Sequence, residues 1–314
     1  MQTSTGPRLA MNPQIDADTT LSVPGHPLTF EQVRIENTAH CGYKCFFCPR
    51  ESLTRPLGFM PLSDFELVLE RVGTHAGRVD LHGFGEPLLD AQLPAKVAVL
   101  KERWAEAIPT IYSTLGCAIP ASRLSALVGA GLAHIEVSFY GADERSYELA
   151  HGVDRFELAK KNLELLVRAR ARMGSKLRIV VRRFPEHEHI KQPGASEEVV
   201  RAHYEWMMSL GVEFIRERPL HNYGSGRAYN RAGTLDACSV IWGLRYRILQ
   251  VTWDLHVIPC CFDFDASVPL GNLREQSLQE IFCSEEYRKF YLAHASNELS
   301  NYPVCVRCER CREP

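Results

Sequence analysis

From Thr29 to about Arg218, strand-like and helix-like segments alternate through six strands, and this alternation restricts the possible folds more than any other feature of the chain. TFEQVRIEN is β-rich and alternating, and LSDFELVLERV carries apolar residues at helical spacing behind Ser63, a candidate N-cap. RVDLHGFGEP, PTIYST, HIEVSFYG, KLRIVVRRF and VEFIRER supply five further strands. The helical stretches before them are LPAKVAVLKERWAEA, SRLSALVGAG, RFELAKKNLELLVRARA and SEEVVRAHYEWMMSLG. Repeated strand–helix units give an α/β fold with a parallel sheet, either open and doubly wound or an incomplete barrel. In both, ligands sit at the carboxyl ends of the strands.

The segment PLHNYGSGRAYNRAGT, Pro219 to Thr234, is rich in Gly and Asn and reads as a linker. Beyond it YRILQVTWDLHVIPCCFD has the pattern of a hairpin and SLQEIFCSEEYRKFYLAH that of a helix. The expected organisation is a flexible segment over 1–28, an α/β core over 29–218, a linker over 219–235 and a small unit over 236–314. A net charge of -2, with pI near 6.6, gives no electrostatic footprint for nucleic acid or an anionic membrane. Neither a signal peptide nor an 18-residue apolar run is present, which predicts a cytoplasmic protein.

Eleven cysteines in such a chain point to metal or catalytic use, because a reducing cytosol does not maintain a disulfide framework. Cys117 and Cys283 stand alone and are expected to be buried small hydrophobes. Cys41, Cys45 and Cys48 follow directly on the first strand. A structural zinc would require a fourth ligand, for which His40 is the neighbour. Three thiolates on one loop suit an iron–sulfur cluster with one iron left open.

CGYKCFFCPR, with Cys-x3-Cys-x2-Cys and the aromatic Phe47 before the last cysteine, resembles the cluster motif of the radical S-adenosylmethionine (SAM) enzymes. The resemblance implies a partial (β/α)6 TIM-like barrel and a 4Fe-4S cluster whose open iron chelates the amino and carboxylate groups of SAM. It also implies reductive cleavage of SAM to a 5'-deoxyadenosyl radical that abstracts hydrogen, with electrons from an external one-electron reductant of flavodoxin or ferredoxin type. HGFGEP fails as a dinucleotide fingerprint because position 88 is Leu. It resembles instead the family's Gly-Gly-Glu-Pro motif with Phe84 inserted, so Gly83, Gly85, Glu86 and Pro87 are expected to receive the SAM amino group. Ser138 in VSFYG corresponds to a serine near the SAM ribose or carboxylate. STLG departs from the Thr-Asn-Gly of many members, so Ser113 and Thr114 receive no role.

Cys238, Cys260, Cys305, Cys308 and Cys311 form a second set, which a zinc ribbon would also explain. VIPCCFDFDASVPLGNLREQSLQEIF, however, resembles the SPASM/twitch extension of radical SAM enzymes. This implies one auxiliary 4Fe-4S cluster, held by Cys238, Cys260 and two of the three tail thiols. Cys261 is left beside a ligand, either as packing or as a hydrogen-atom donor that would make the enzyme an epimerase. Alternatively the auxiliary cluster accepts an electron and the product is a carbonyl.

Residues placed to meet substrate are Arg182, Arg183, Glu186, His187 and His189 after the fifth strand and Arg218, His221, Asn222 and Tyr223 after the sixth. The family resemblance suggests hydrogen abstraction from a polar small molecule (sugar, aminocyclitol or nucleoside type) in natural-product biosynthesis. The alternative is a peptide-modifying maturase, disfavoured because only about 28 residues precede the first strand, too few for a leader-recognition domain. A non-catalytic electron carrier would leave the open iron and GFGEP without purpose.

Overall fold

The computed structural model describes residues 30–182, 195–215, 221, 223, 238, 248–306 and 308. In chain order the parallel strands are β1 (Gln32–Ile35), β2 (Arg78–Asp80), β3 (Ile108–Ser113), β4 (His134–Ser138), β5 (Arg178–Arg182) and β6 (Glu213–Ile215). Between them run α1 (Leu62–Val72), α2 (Leu93–Arg103), α3 (Ala121–Gly129), α4 (Glu144–His151), α5 (Phe156–Arg172) and α6 (Glu197–Ser209). The strands stand side by side in sequence order, as the repeated strand–helix units require. β7 (Ile248–Val251), β8 (His256–Ile258) and β9 (Gly271–Asn272) complete a nine-stranded sheet of order β6-β5-β4-β3-β2-β1-β7-β8-β9, with β6 and β9 at its edges. The fold is therefore the expected partial barrel, an open α/β sheet. Three short helices follow: α7 (Leu278–Phe282), α8 (Glu285–Ala295) and α9 (Pro303–Val306).

The expected hairpin is present, with β7 and β8 antiparallel. Its other edge extends the barrel sheet, because β7 pairs in parallel with β1 from Gln32↔Ile248 to Ile35↔Val251. Two local expectations are corrected. α1 begins at Leu62 behind Pro61, so Ser63 lies inside the helix; the proline presets φ at -60, and the exposed Leu62 amide donates to the Gln92 side chain. Cys283 is exposed, because it caps α7 at a turn that leads away from the core, whereas Cys117 is buried as expected. α4 has no counterpart in the sequence pattern. It is fixed by a capping box between Asp143 and Ser146 and stopped by Gly152 at φ 70.

The two faces of the parallel strands differ chemically. Val33, Ile35, Val79, Leu81, Ile111, Ile135, Val137, Ile179 and Val181 are almost fully buried in one core with Phe65, Leu69, Val97, Leu100, Leu124, Leu163 and Leu166 of the helices. Each such side chain contributes about 1.5–3 kcal/mol on leaving water. The alternate positions carry Gln32, Arg34, Arg78, Asp80, Tyr112, Glu136, Arg182 and Gln250. Parallel strands buried on both faces are ordinarily continuous apolar runs, so these polar positions line an interior and not a second hydrophobic core.

Candidate active site

The three thiols after β1 lie on a loop braced from several directions. The Glu86 amide donates to the His40 carbonyl at 2.8 Å, which joins the HGFGEP loop to the chain just before Cys41. The Arg50 guanidinium donates to the Ala39 carbonyl at 3.3 Å. From α4, the His151 and Ala150 carbonyls accept the Lys44 and Phe46 amides at 3.0 and 3.4 Å, satisfying acceptors that a helix C-terminus leaves open. His40 stacks on Phe59 with ring centroids 4.7 Å apart. Phe47 meets the rings of Tyr140 and His151 at 5.1 and 6.2 Å, in edge-to-face arrangements.

Burial pushes the Cys41 thiol up to about 12, with Glu86 adding to the shift, and raises Cys45 further through burial and the neighbouring Cys48 and Cys41. Thiolates packed together in this way need a positive counter-charge, which is what iron supplies to its ligands. Among the described residues no three His, Cys, Asp or Glu side chains converge as donors for a single metal ion. Three thiolates on one loop leave one iron of a four-iron cluster open, whereas a closed structural zinc needs a fourth protein ligand.

The glycines of HGFGEP let the neighbouring chain pack closely against the loop. A Cβ on Gly83 would strike the Glu36 carboxylate and one on Gly85 the Thr38 carbonyl, so the neighbouring chain fills the space at both. Glu36 is itself held by both guanidinium nitrogens of Arg55, each at 2.7 Å, and by the Phe84 amide at 3.1 Å. Glu86 is buried, and its carboxylate accepts from Leu88 N at 3.2 Å, Ser113 Oγ at 2.7 Å, Thr114 N at 2.9 Å and Thr114 Oγ1 at 2.9 Å. Burial raises its pKa despite these donors. Ser113 and Thr114, left without a role by the sequence, thus fix Glu86, and Pro87 begins a short 3-10 turn over Pro87–Leu89. Leu115 follows at φ 58, a left-handed conformation that Asn adopts more readily than Leu, with its carbonyl held by the Asn162 side chain at 2.6 Å. Ser138 ends β4, where it hydrogen-bonds to the Tyr140 side chain.

The interior face of the strands is a chain of ion pairs that sequence reasoning missed apart from Arg182. Asp80 takes Arg34 Nη2 at 3.1 Å, Arg78 Nε at 2.6 Å and the Gln32 amide. Glu136 takes Arg78 Nη2 at 3.0 Å and Arg182 Nε, and the Arg182 guanidinium lies 4.5 Å from the Tyr112 ring centre. The His82 ring lies 4.1 Å from Tyr112, its Nδ1 buried with no hydrogen-bond partner among the described residues. Burial drives the His82 pKa well below its usual value, reinforced by Arg34, Arg182 and Arg78, so the ring is neutral. Glu136 is held below the carboxylate range because Arg182 and Arg78 outweigh the effect of burial. Charged residues at every second position of parallel strands were the available signal.

A second group is aromatic. Tyr223 packs on Phe262 and Phe84 at 5.3 and 5.7 Å, and His221 on Phe262 at 5.1 Å. Burial raises the Tyr223 hydroxyl, and Cys48 and Cys261 add to the shift. Cys261 also acts on Arg34, whose pKa stays raised against burial through Cys261 and Asp80. Burial raises the Cys260 thiol, with Cys261, Cys238 and Cys308 adding to the shift, and raises the Cys305 thiol, with Cys238 and Cys308 adding to it. Cys308 and Phe262 pack with Cys238, Cys260 and Cys261. Arg183, Glu186, His187, His189, Arg218, Asn222 and Cys311 lie outside the described residues.

Residues 35–192 match the radical SAM superfamily profile, and residues 238–312 match SPASM, an iron–sulfur cluster-binding domain. The chain belongs to the radical SAM superfamily. It is an enzyme of that family, with a SAM-binding 4Fe-4S cluster and an auxiliary cluster. A probable GTP 3',8-cyclase of Aeropyrum pernix is 33% identical over 158 residues, covering 48% of this chain; the chain spans only 42% of that protein. The S-adenosyl-L-methionine-dependent 2-deoxy-scyllo-inosamine dehydrogenase of Niallia circulans is 22% identical over 282 residues, covering 89% of this chain and 92% of that one. Among solved structures, BtrN in complex with AdoMet and 2-DOIA superposes with a TM-score of 0.60 at 20% identity, over 89% and 93% of the two chains. Native anSMEcpe with bound AdoMet gives 0.55 at 15% identity, over 90% and 91%. At these identities the superpositions establish the shared fold. Among the described residues no helix is long and apolar enough to cross a membrane.

Proposed function

We propose that this radical SAM enzyme abstracts hydrogen from a C–H bond of a polar small molecule of the sugar, aminocyclitol or nucleoside type, leading to epimerisation or dehydrogenation. The observation that carries the proposal is the polar interior. Arg34, Arg78, Asp80, Tyr112, Glu136 and Arg182 present donors and acceptors along the strands. A molecule rich in hydroxyl or amino groups matches such a surface, since each buried polar group needs a partner. The likeness in overall extent to an aminocyclitol dehydrogenase supports the same class.

Cys41, Cys45 and Cys48 would hold the SAM-binding cluster, and Cys238 and Cys260 with Cys305 and Cys308 the auxiliary one. When bound, the first cluster supplies the one-electron cleavage of SAM that produces the 5'-deoxyadenosyl radical. Phe47, Gly83, Gly85, Glu86, Pro87 and Ser138 would shape the SAM pocket. Glu86 does so through its bonds to Ser113 and Thr114, because its carboxylate is already engaged. The ion-paired arginines orient the substrate, and the rings of Phe84, Tyr223 and Phe262 exclude water from the carbon radical.

For epimerisation the Cys261 thiol returns the hydrogen from the opposite face. Its S–H bond breaks as the new C–H bond forms, and the external reductant with a proton restores the thiol. The test is anaerobic incubation of reconstituted enzyme with SAM, reductant and a panel of deuterated sugars, aminocyclitols and nucleosides. Deuterium transfer into 5'-deoxyadenosine is expected with a member of the panel. Cys261→Ala should keep that transfer and lose the epimer, and undiminished product from Cys261→Ala would sink the donor role. Transfer seen only with a peptide would overturn the small-molecule class.

A further inference from the structure

His151 closes α4 with its side chain fully buried, inside a box of Tyr43, Phe47, Tyr140 and Tyr147 rings whose centroids lie 4.2 to 6.2 Å away. Its two ring nitrogens meet different partners. Nε2 stands 3.3 Å from the Tyr140 amide nitrogen, and Nδ1 stands 3.4 Å from the Cys45 sulfur. A backbone N–H only donates, so Nε2 must offer its lone pair, and the ring proton of the neutral imidazole resides on Nδ1. An imidazolium would set a second N–H against the Tyr140 N–H. The tautomer is thus fixed by the main chain, and the remaining N–H points at sulfur.

The backbone holds this arrangement in register. The Lys44 amide donates to the His151 carbonyl at 3.0 Å, and Gly152 sits at φ 70 where a Cβ would meet the Lys44 carbonyl at 2.6 Å. The imidazole therefore cannot slide along the loop. We propose that His151 donates a hydrogen bond from Nδ1 to the Cys45 sulfur and thereby raises the reduction potential of the cluster on Cys41, Cys45 and Cys48. The proposal rests on Cys45 being a ligand of that cluster. The physical ground is that a donor to a thiolate sulfur withdraws electron density and favours the more negative, reduced form of the cluster. Cys41 and Cys45 each have a backbone hydrogen bond, from Tyr43 and from Cys45 itself, and Cys45 alone of the two adds the His151 side chain, at 3.4 Å. His151 is a positioning and tuning residue, acting through Cys45.

Three substitutions separate its two bonds. In His151→Asn the amide nitrogen stands near the place of Nδ1 and keeps the donor to sulfur. In His151→Gln the longer amide reaches toward the Tyr140 N–H and leaves sulfur without its donor, and His151→Phe keeps neither. The measurement is an EPR-monitored redox titration of the reconstituted full chain, following the signal that SAM perturbs. His151→Phe and His151→Gln should reduce the reduced-to-oxidised ratio at fixed potential about tenfold, a midpoint lower by about 59 mV for one electron, with His151→Asn close to the parent. Unchanged midpoints for Phe and Gln, or an Asn variant falling as far as they do, would overturn the proposal.

The parent enzyme grown with 15N-histidine gives a second measurement that needs no variant to assemble. Pulsed EPR of the reduced cluster should show a histidine nitrogen coupling beside that of SAM, and its absence overturns the inference. A parent lacking four irons on this loop overturns the ligand assignment and the inference together. A full cluster without the coupling overturns the inference alone.

Discussion

The two cysteine sets reach the same kind of chemistry by opposite routes. Cys41, Cys45 and Cys48 occupy one short loop, and what surrounds them is a frame of hydrogen bonds from α4, the HGFGEP loop and the chain before Cys41. Cys238, Cys260 and Cys308 come from distant stretches and pack together with Phe262, and Cys305 is buried three residues before Cys308. The first set is local in sequence and depends on its frame to be rigid; the second depends on the tertiary fold to exist at all.

The largest test of this contrast is the iron content of two variants. Replacing Cys41, Cys45 and Cys48 by Ala should lower the reconstituted chain from about eight irons to about four, and replacing Cys260 and Cys308 should remove the other four. Sulfide and zinc analysis on the same samples identifies what remains. Loss of all iron from either variant would break the comparison, because the two sets would then assemble as one unit.

How much of this was legible in the sequence follows the same division. The cysteine spacing, the GFGEP loop and the order of β1 to β6 are local patterns, and the structure keeps them. The pairing of β7 with β1 joins residues more than 200 positions apart, and no local signal marks it. α4 was hidden in ERSYELAH because a two-turn helix carries too little periodicity, although Asp143 with Ser146 marked its cap. The interior ion pairs were written plainly as charges at every second strand position, yet their meaning depends on which face of the sheet looks inward. Cys283 is exposed for a similar reason: only its place at the turn after α7 decides its burial.

A second test concerns the frame of the first set. Lys96 is fully buried, and its Nζ donates to Asp90 Oδ2 at 2.6 Å and to the Met60 carbonyl. Asp90 in turn accepts from the Asn37 side chain at 3.2 Å, and Asn37 also donates to the Pro87 carbonyl at 3.2 Å. One ion pair thus joins the chain leaving β1, the HGFGEP loop and α2. Lys96→Ala leaves the buried Asp90 carboxylate without its cation, and should cost about 3–5 kcal/mol in urea unfolding of the apoprotein. A cost under about 1 kcal/mol, the range of exposed pairs, would mean that the frame does not depend on this charge.

The smallest effect belongs to the joint between the two regions. Asp265, four residues after Cys261, accepts from Thr54 N at 2.6 Å, from Thr54 Oγ1 and from Arg55 N at 3.0 Å, six and seven residues after Cys48. Arg55 continues the connection by donating to the Phe264 carbonyl at 3.0 Å and to Glu36. Because the joint is partly exposed, Asp265→Ala should cost only about 1–2 kcal/mol, mostly from the amides left without an acceptor. Its value lies in coupling. If the joint transmits order between the two sets, a double-mutant cycle of Asp265→Ala with Thr54→Ala should show an interaction energy above about 0.5 kcal/mol. Simple additivity would instead mean that Asp265 and Thr54 act independently, and that the C-terminal extension is held to the loop after Cys48 and to the barrel by its other contacts, from Arg55 to the Phe264 carbonyl, from the Trp253 ring to the Pro56 carbonyl and along the β7–β1 pairing.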